Sequence, residues 1–316
     1  MKRLIECVPN FSEGRDPAKI ASLVTALNGF AGARVLDCHS DADHNRTVVT
    51  LAGEPEALAE AALAGVGRAA ELIDLNGHQG VHPRIGATDV LPFIPLQGAV
   101  MEDCVTLARR VGREIWRRYG IPVYFYEAAA IRPERANLAN VRRGQFEALR
   151  EALLHDAERA PDVGEPRLHP TAGAVAVGAR TFLIAYNINL ETDDLSIAQK
   201  IARTIRTSSG GLPALKAMGV ALRSRGLAQV SMNLTDFEVT PIHQVFDAVL
   251  HETARYGCVI AGSEIVGLVP QKALDITADY FFHLDCFSPA QILENRLAAV
   301  FGEEMSEGAL ATGTVQ

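Results

Sequence analysis

With 316 residues, 48% apolar and 22% charged, the chain has the composition of a globular protein rather than a disordered one, and enough apolar surface for a large core shared between two domains. A net charge of −8 argues against nucleic acid or an anionic membrane as the main partner, while leaving room for a local basic pocket. Cys7, Cys38, Cys104, Cys258 and Cys286 are odd in number, scattered and without a C-x-x-C pair, which fits reduced thiols. The opening "MKRLIECVPNFSEG" meets Glu6, Pro9 and Glu13 before any long apolar stretch, so neither a signal peptide nor a membrane span is expected, and the expected location is cytoplasmic.

In chain order, β-branched apolar runs alternate with segments of helical period. Residues 3–10 read as a strand and 16–28 as a helix with Asp16 as N-cap and Pro17 at the first helical position. Strands follow at 33–39 and 46–53, then a helix at 54–73, a strand at 89–96, a helix at 101–119 and a strand at 121–128. A charged, helical region runs on to about residue 160. The second half repeats the order: strand 181–190, helix 193–206, strands 215–222 and 227–234, a helix at 240–257 capped by Thr240, and strand 258–266. Ser288 and Gln291 stand in capping-box spacing at the start of a closing helix, 288–301, and the last residues read as a frayed tail.

Strand, helix, strand, strand, helix, strand is the order of the ferredoxin-like unit. The expected fold is therefore α+β: two tandem ferredoxin-like βαββαβ subdomains with mixed or antiparallel sheets and a ligand cleft between them, the first over 1–179 and the second over 180–316. Residues 161–180, dense in Gly and Pro, read either as the linker between them or as a binding loop.

Gly77–Asp89, "GHQGVHPRIGATD", packs two histidines, an arginine, an aspartate and three glycines into thirteen residues. Glycine at that density lowers helix and strand stability, so the segment serves something other than regular structure. His78 and His82 are four apart, but Gly77, Gly80 and Pro83 oppose a helix that would bring them together on a metal, and no further ligand accompanies them. Acid–base chemistry fits better, because histidine titrates near neutrality and loops expose such groups; the bland alternative is a turn in which the imidazoles satisfy backbone groups. In "DCHSDADHNRTVV" (37–49) Asp41 and Asp43 read as hairpin-turn residues, with Asn45 and Arg46 at the mouth of the next strand, where an arginine suits a carboxylate. Asn10, Ser12 and Glu13 leave the first strand in a similar way. Arg109, Arg113 and Arg117 share a helical face that reads as solvated, and "RTSSGGLP" lacks the ending of a phosphate-binding loop.

"ECVPNFSEG", "NRTVVT", "HPRIGATDVLPFIP", the stretch from Gly178 to Leu190 and "QVSMNLTDFEVTPIH" together resemble the glutamate formimidoyltransferase (formiminotransferase) family, from about residue 3 to about residue 275, in the form without a cyclodeaminase. The resemblance implies transfer of the formimino group of N-formimino-glutamate to N5 of tetrahydrofolate as cosubstrate, with release of glutamate, in histidine breakdown and without a metal. It implies His82 as the catalytic base and a homodimer. It also places the folate-binding stretch on Gly164, Glu165, Pro166, Arg167, Leu168, His169, Pro170, Thr171, Ala172 and Gly173. Charge and position add Asn10, Asn45, Arg46 and Arg84 as substrate contacts. His39 departs from the family, which carries an acid after the second strand. The rivals are formyl transfer from N-formylglutamate, a non-catalytic small-molecule sensor, and a metal-dependent hydrolase.

Overall fold

The computed structural model describes residues 3–277, 284–285 and 287–302. The chain divides into two compact units, one running to Arg180 and resuming at Val300, the other spanning Thr181–Ala299.

The first unit opens with β1 (Ile5–Cys7) and β2 (Asn10–Phe11). Both pair with β4 (Arg46–Gly53) in one continuous register and with β5 (Thr88–Pro95) in a register that holds as far as Asn10, so they are a single strand interrupted at Pro9, which has no N–H for the ladder. Helix α1 (Pro17–Leu27) starts as its sequence dictates, with the Asp16 side chain accepting from Ala18 N and Lys19 N. Next come β3 (Ala33–Asp41), α2 (Pro55–Leu72), α3 (Met101–Tyr119) and β6 (Val123–Glu127). Phe11, Leu51, Phe93 and Phe125 from the strands pack with Leu27, Leu58, Val66 and Ile115 from the helices into one buried core. Each such side chain contributes roughly 1.5–3 kcal/mol by leaving water. Gly65 lets α2 sit directly on Leu27 of α1, where a Cβ would collide.

The charged region after β6 contains only short helices, α4 (Leu138–Val141) and α5 (Gln145–Ala152), which pack Val141 and Leu149 against Tyr124, Tyr126 and Val90. The segment 161–180 corrects the linker reading. Its last part is β7 (Val175–Ala179), fully buried and hydrogen-bonded in parallel to both β5 and β6, in the interior of the sheet. "AVAVGA" has the composition of a strand buried on both faces, but the glycines and prolines before it masked that. The face of α3 that carries arginines is solvated, with ion pairs from Arg110 to Glu56, Arg117 to Glu114 and Arg118 to Glu60.

The second unit runs β8 (Ile184–Leu190), α6 (Leu195–Ile205), β9 (Leu215–Leu222), β10 (Leu227–Leu234), α7 (Ile242–Arg255), β11 (Ile260–Val266) and α8 (Gln271–Asp275); α9 (Leu293–Phe301) begins in it. The sheet order is β11-β8-β10-β9, antiparallel throughout, with Tyr186, Ile188, Val230 and Met232 packed on Ile201, Val245 and Val249 of the helices. Both units are thus mixed α and β, each with its own sheet and core.

Two capping expectations need correction. Helix α7 begins after Pro241, and Thr240 donates its hydroxyl to Pro213 O instead of capping the helix. The Ser288–Gln291 box is present but opens a 3-10 turn at Pro289–Gln291, and α9 starts after it. The expected tail, 303–316, lies outside the described residues. Among the described residues no helix is long and apolar enough to cross a membrane.

Glu6 is 5% exposed on β1, between Ala52 and Ile94. Burial lifts its carboxyl to about 7 despite the opposing charge of Arg180. The folded protein therefore keeps a proton that the unfolded chain releases above the ordinary carboxylate range, so stability falls as pH rises from about 4.5 to about 7. At about 1.4 kcal/mol per unit the loss is on the order of 3 kcal/mol. Denaturation of wild type and Glu6→Gln at pH 5 and pH 8 checks this: the variant should gain on wild type by that order at the higher pH, and a difference that does not move with pH refutes it.

Candidate active site

Three loops of the first unit meet: 12–16 after β2, 42–45 between β3 and β4, and 77–87 before β5. Asn45 fastens them. It sits in the left-handed region at φ 49, accepts from Gly14 N at 2.9 Å and donates to Gln79 O at 2.9 Å. Ser12 adds a bond from its hydroxyl to Gly86 O at 2.7 Å. The glycines of Gly77–Asp89 now divide. A Cβ on Gly80 would strike the His44 carbonyl and one on Gly86 the Ala174 carbonyl, whereas Gly77 faces open space. Two of the three exist for close backbone approach.

The register between β2 and β5 shifts, with Asn10 opposite Val90 and Phe11 opposite Thr88, so Asp89 is the extra residue of a β-bulge. A bulge re-aims its side chain, and here it turns the fully buried Asp89 carboxylate toward two arginines. Arg46 Nη1 donates to Oδ2 at 2.7 Å, Arg142 Nη2 donates to the same oxygen, and Ile85 N donates to Oδ1 at 2.9 Å. Arg46 Nε also donates to Asn10 Oδ1 at 3.0 Å. Burial works to raise the Asp89 carboxyl, but Arg142 and Arg46 outweigh it and hold the group below its usual range. Burial draws Arg46 down to about 10, which leaves it charged at neutral pH.

His82 lies beside this cluster. Its Nδ1 is 2.8 Å from Pro83 O, a group that only accepts, so Nδ1 carries the proton and Nε2 presents a lone pair. Burial, then the positive charges of Arg46 and Arg142, hold the imidazole well below the ordinary histidine range. The His44 ring stands 5.9 Å away, centroid to centroid. His78 is different: its Nδ1 accepts from Arg84 Nε at 3.1 Å and its Nε2 donates to Asn45 O at 3.1 Å, so both nitrogens serve the loop. Arg84 forks onto Glu147 at 2.7 and 2.9 Å and reaches Gln145 Oε1 and His78 O, which engages every one of its five N–H donors inside the chain.

Gly164–Gly173 runs alongside. Leu75 N donates to Thr171 O and Ala87 N to Ala172 O, both at 2.9 Å, and Gly173, at φ 71, is tucked under the Ile85 carbonyl. His169 Nδ1 accepts from Ala172 N at 3.0 Å and so shapes the turn. Arg167 pairs with Glu165 at the surface. A cavity of about 330 Å³ opens against Pro166–Pro170, walled by Leu153, Asn76 and Arg150.

His39 pairs with Val48, the residue that Asn10 also opposes, so it stands two strands from Asn10 on one sheet face. Reading the sequence missed Arg142, His44 and the pairing role of Asp89. Nothing in the spacing of "NVRRGQF" marks Arg142, which meets Asp89 only through the tertiary fold. A polar ladder in the second unit was missed as well: Gln229 Nε2 donates to Asn189 Oδ1 at 2.9 Å and Asn187 Nδ2 to Glu264 Oε1 at 3.0 Å, on strands read only as apolar. Among the described residues no group of three or more His, Cys, Asp or Glu is placed to hold a metal.

The His82 geometry predicts a spectroscopic signature. In nitrogen-15 NMR at pH 6, His82 should be the neutral tautomer protonated on Nδ1, while an exposed histidine is substantially cationic. A His82 imidazolium at pH 6, or the opposite tautomer, overturns the assignment.

Residues 4–180 match the formiminotransferase domain, N-terminal subdomain, and residues 185–296 match the formiminotransferase domain. The chain is 48% identical over 298 residues to the glutamate formimidoyltransferase of Streptococcus pyogenes serotype M1, covering 94% of this chain and 99% of that one. It is 45% identical over 296 residues to the glutamate formimidoyltransferase of Thermoplasma acidophilum, covering 93% and 97%. With the formimidoyltransferase-cyclodeaminase of Gallus gallus the identity is 42% over 287 residues, covering 89% of this chain and 53% of that protein. From end to end of both units, the chain belongs to the formiminotransferase family.

Proposed function

We infer that the protein transfers the formimino group of N-formimino-glutamate to N5 of tetrahydrofolate, releasing glutamate, as in histidine degradation. Family membership over both units supports the reaction. The observation that carries the mechanism is the neutral His82 ring, with its Nε2 lone pair uncommitted beside two fixed arginines.

The reaction needs one group to act in two directions. As N5 bonds to the amidine carbon it loses a proton, which His82 Nε2 takes; as the bond from that carbon to the glutamate nitrogen breaks, the nitrogen takes the proton back. A histidine held neutral by burial is ready as a base, and once protonated among arginines it is a strong acid. Restoring the proton is then downhill. Holding two cosubstrates together supplies further rate by orientation.

The folate contacts are placed on Gly164–Gly173, which is supported by its packing against the strand end that follows His82. Asn10 and Arg46 are assigned to the glutamate moiety, whereas Asn45 and Arg84, whose side chains are spent on holding loops, act by positioning. Division at residues 179 and 180, ferredoxin-like topology in both units, a ligand cleft between them, a homodimer and a cytoplasmic setting belong to the same reading. The order β11-β8-β10-β9 supports the topology in the second unit.

Purified protein is incubated with tetrahydrofolate and either N-formimino-glutamate or N-formylglutamate, and 5-formimino product is converted by acid to the absorbing methenyl form. Wild type should turn over the formimino donor, and His82→Ala should lose a factor on the order of 10²–10⁴ in kcat. Turnover by His82→Ala at the wild-type rate removes the base; preference for the formyl donor overturns the substrate.

A further inference from the structure

The charges around Asp89 do not balance. Arg46 and Arg142 converge on one oxygen of one carboxylate, and the His82 ring beside them is neutral, so the cluster carries a net positive charge. It does so out of water, with side chains 9%, 16% and 0% exposed for Arg46, Arg142 and Asp89. Donors are left over as well. Arg142 Nε is buried without a hydrogen-bond partner, and Arg46 uses only Nε and Nη1. An unpaired buried donor and two cations on one oxygen are costly unless an anion completes the set. Planar guanidinium forks suit a carboxylate.

Resting on the transferase reading, we propose that Arg142, together with Arg46, seats the α-carboxylate of N-formimino-glutamate, with Asp89 holding the two guanidinium groups at the required separation. The α-carboxylate fits because it shares a carbon with the nitrogen that carries the formimino group. Seated on arginines adjacent to His82, it delivers that nitrogen to the imidazole. The γ-carboxylate is two carbons further along the chain and points away from the reacting end.

The test compares N-formimino-glutamate with N-formimino-4-aminobutyrate, which lacks only the α-carboxylate, at saturating tetrahydrofolate, in wild type, Arg142→Met and Arg142→Lys. Wild type should favour formimino-glutamate by about 10- to 100-fold in kcat/KM, the range expected for hydrogen bonds to a charged group. Arg142→Met should lose most of that preference through KM, the loss on formimino-glutamate exceeding whatever loss through His82 falls on both donors alike, with no change in the KM for tetrahydrofolate; Arg142→Lys should restore part of it. Equal loss on both donors marks a merely structural role, and no loss on either removes Arg142 from the site; both overturn the proposal. A second readout is independent of turnover: L-glutamate should raise the melting temperature of wild type more than 4-aminobutyrate does, and Arg142→Met should lose that difference. Wild type that transfers from neither donor sinks the transferase reading, and the glutamate melting shift then decides the arginine site alone.

Discussion

One buried carboxylate organises the first unit. Asp89 is removed from water by the bulge that carries it, and a charge in that position is tolerable only if it is fully paired. Both oxygens are therefore occupied: one by the backbone of Ile85, within the loop that leads from His82 to β5, the other by arginines from β4 and from the segment after α4. Segments distant in sequence are drawn to one point. Burial depresses the basicity of His82 and the same arginines lower it further, so the cluster that fixes the geometry also contributes to the electrostatics of the candidate base.

Around that point the structure uses backbone more than side chain. Asn45, Gly14, Gly80 and Gly86 bring loops to distances at which a methyl group would collide, and the Asn45 amide replaces the hydrogen bonds that regular structure would have supplied. Such a region pays in conformational entropy for precision in the placement of His82 and Arg46. The imidazole of His78 illustrates the division of labour. Both of its nitrogens are consumed by Arg84 and Asn45, whereas its neighbour four residues on commits only Nδ1 to a backbone carbonyl.

Most elements were legible in the sequence because their signals are local. Asp16 and Pro17 mark a helix start, and the ranges of β9 and β10 coincide with their apolar runs. What was not legible depends on partners far along the chain. Thr240 looked like a cap and instead bonds a carbonyl in the loop before β9. Arg142 looked like any arginine of a charged segment, since its meaning lies in Asp89. His82 stood out because Pro83 and the flanking glycines exclude regular structure, but its tautomer and its company of cations follow only from the fold.

The position of β7 carries a consequence for how the unit is made. Val175–Ala179 fills the place between β5 and β6, which share no ladder of their own, so β6 has no strand to join until the chain has been synthesised past Ala179. Non-local parallel pairing of this kind closes late and slowly. Until then the β5 edge that receives β7 is open, and the segment carrying His169 to Gly173 comes into place with the strand it leads into. Assembly of the sheet and completion of the loop beside His82 are thus a single event.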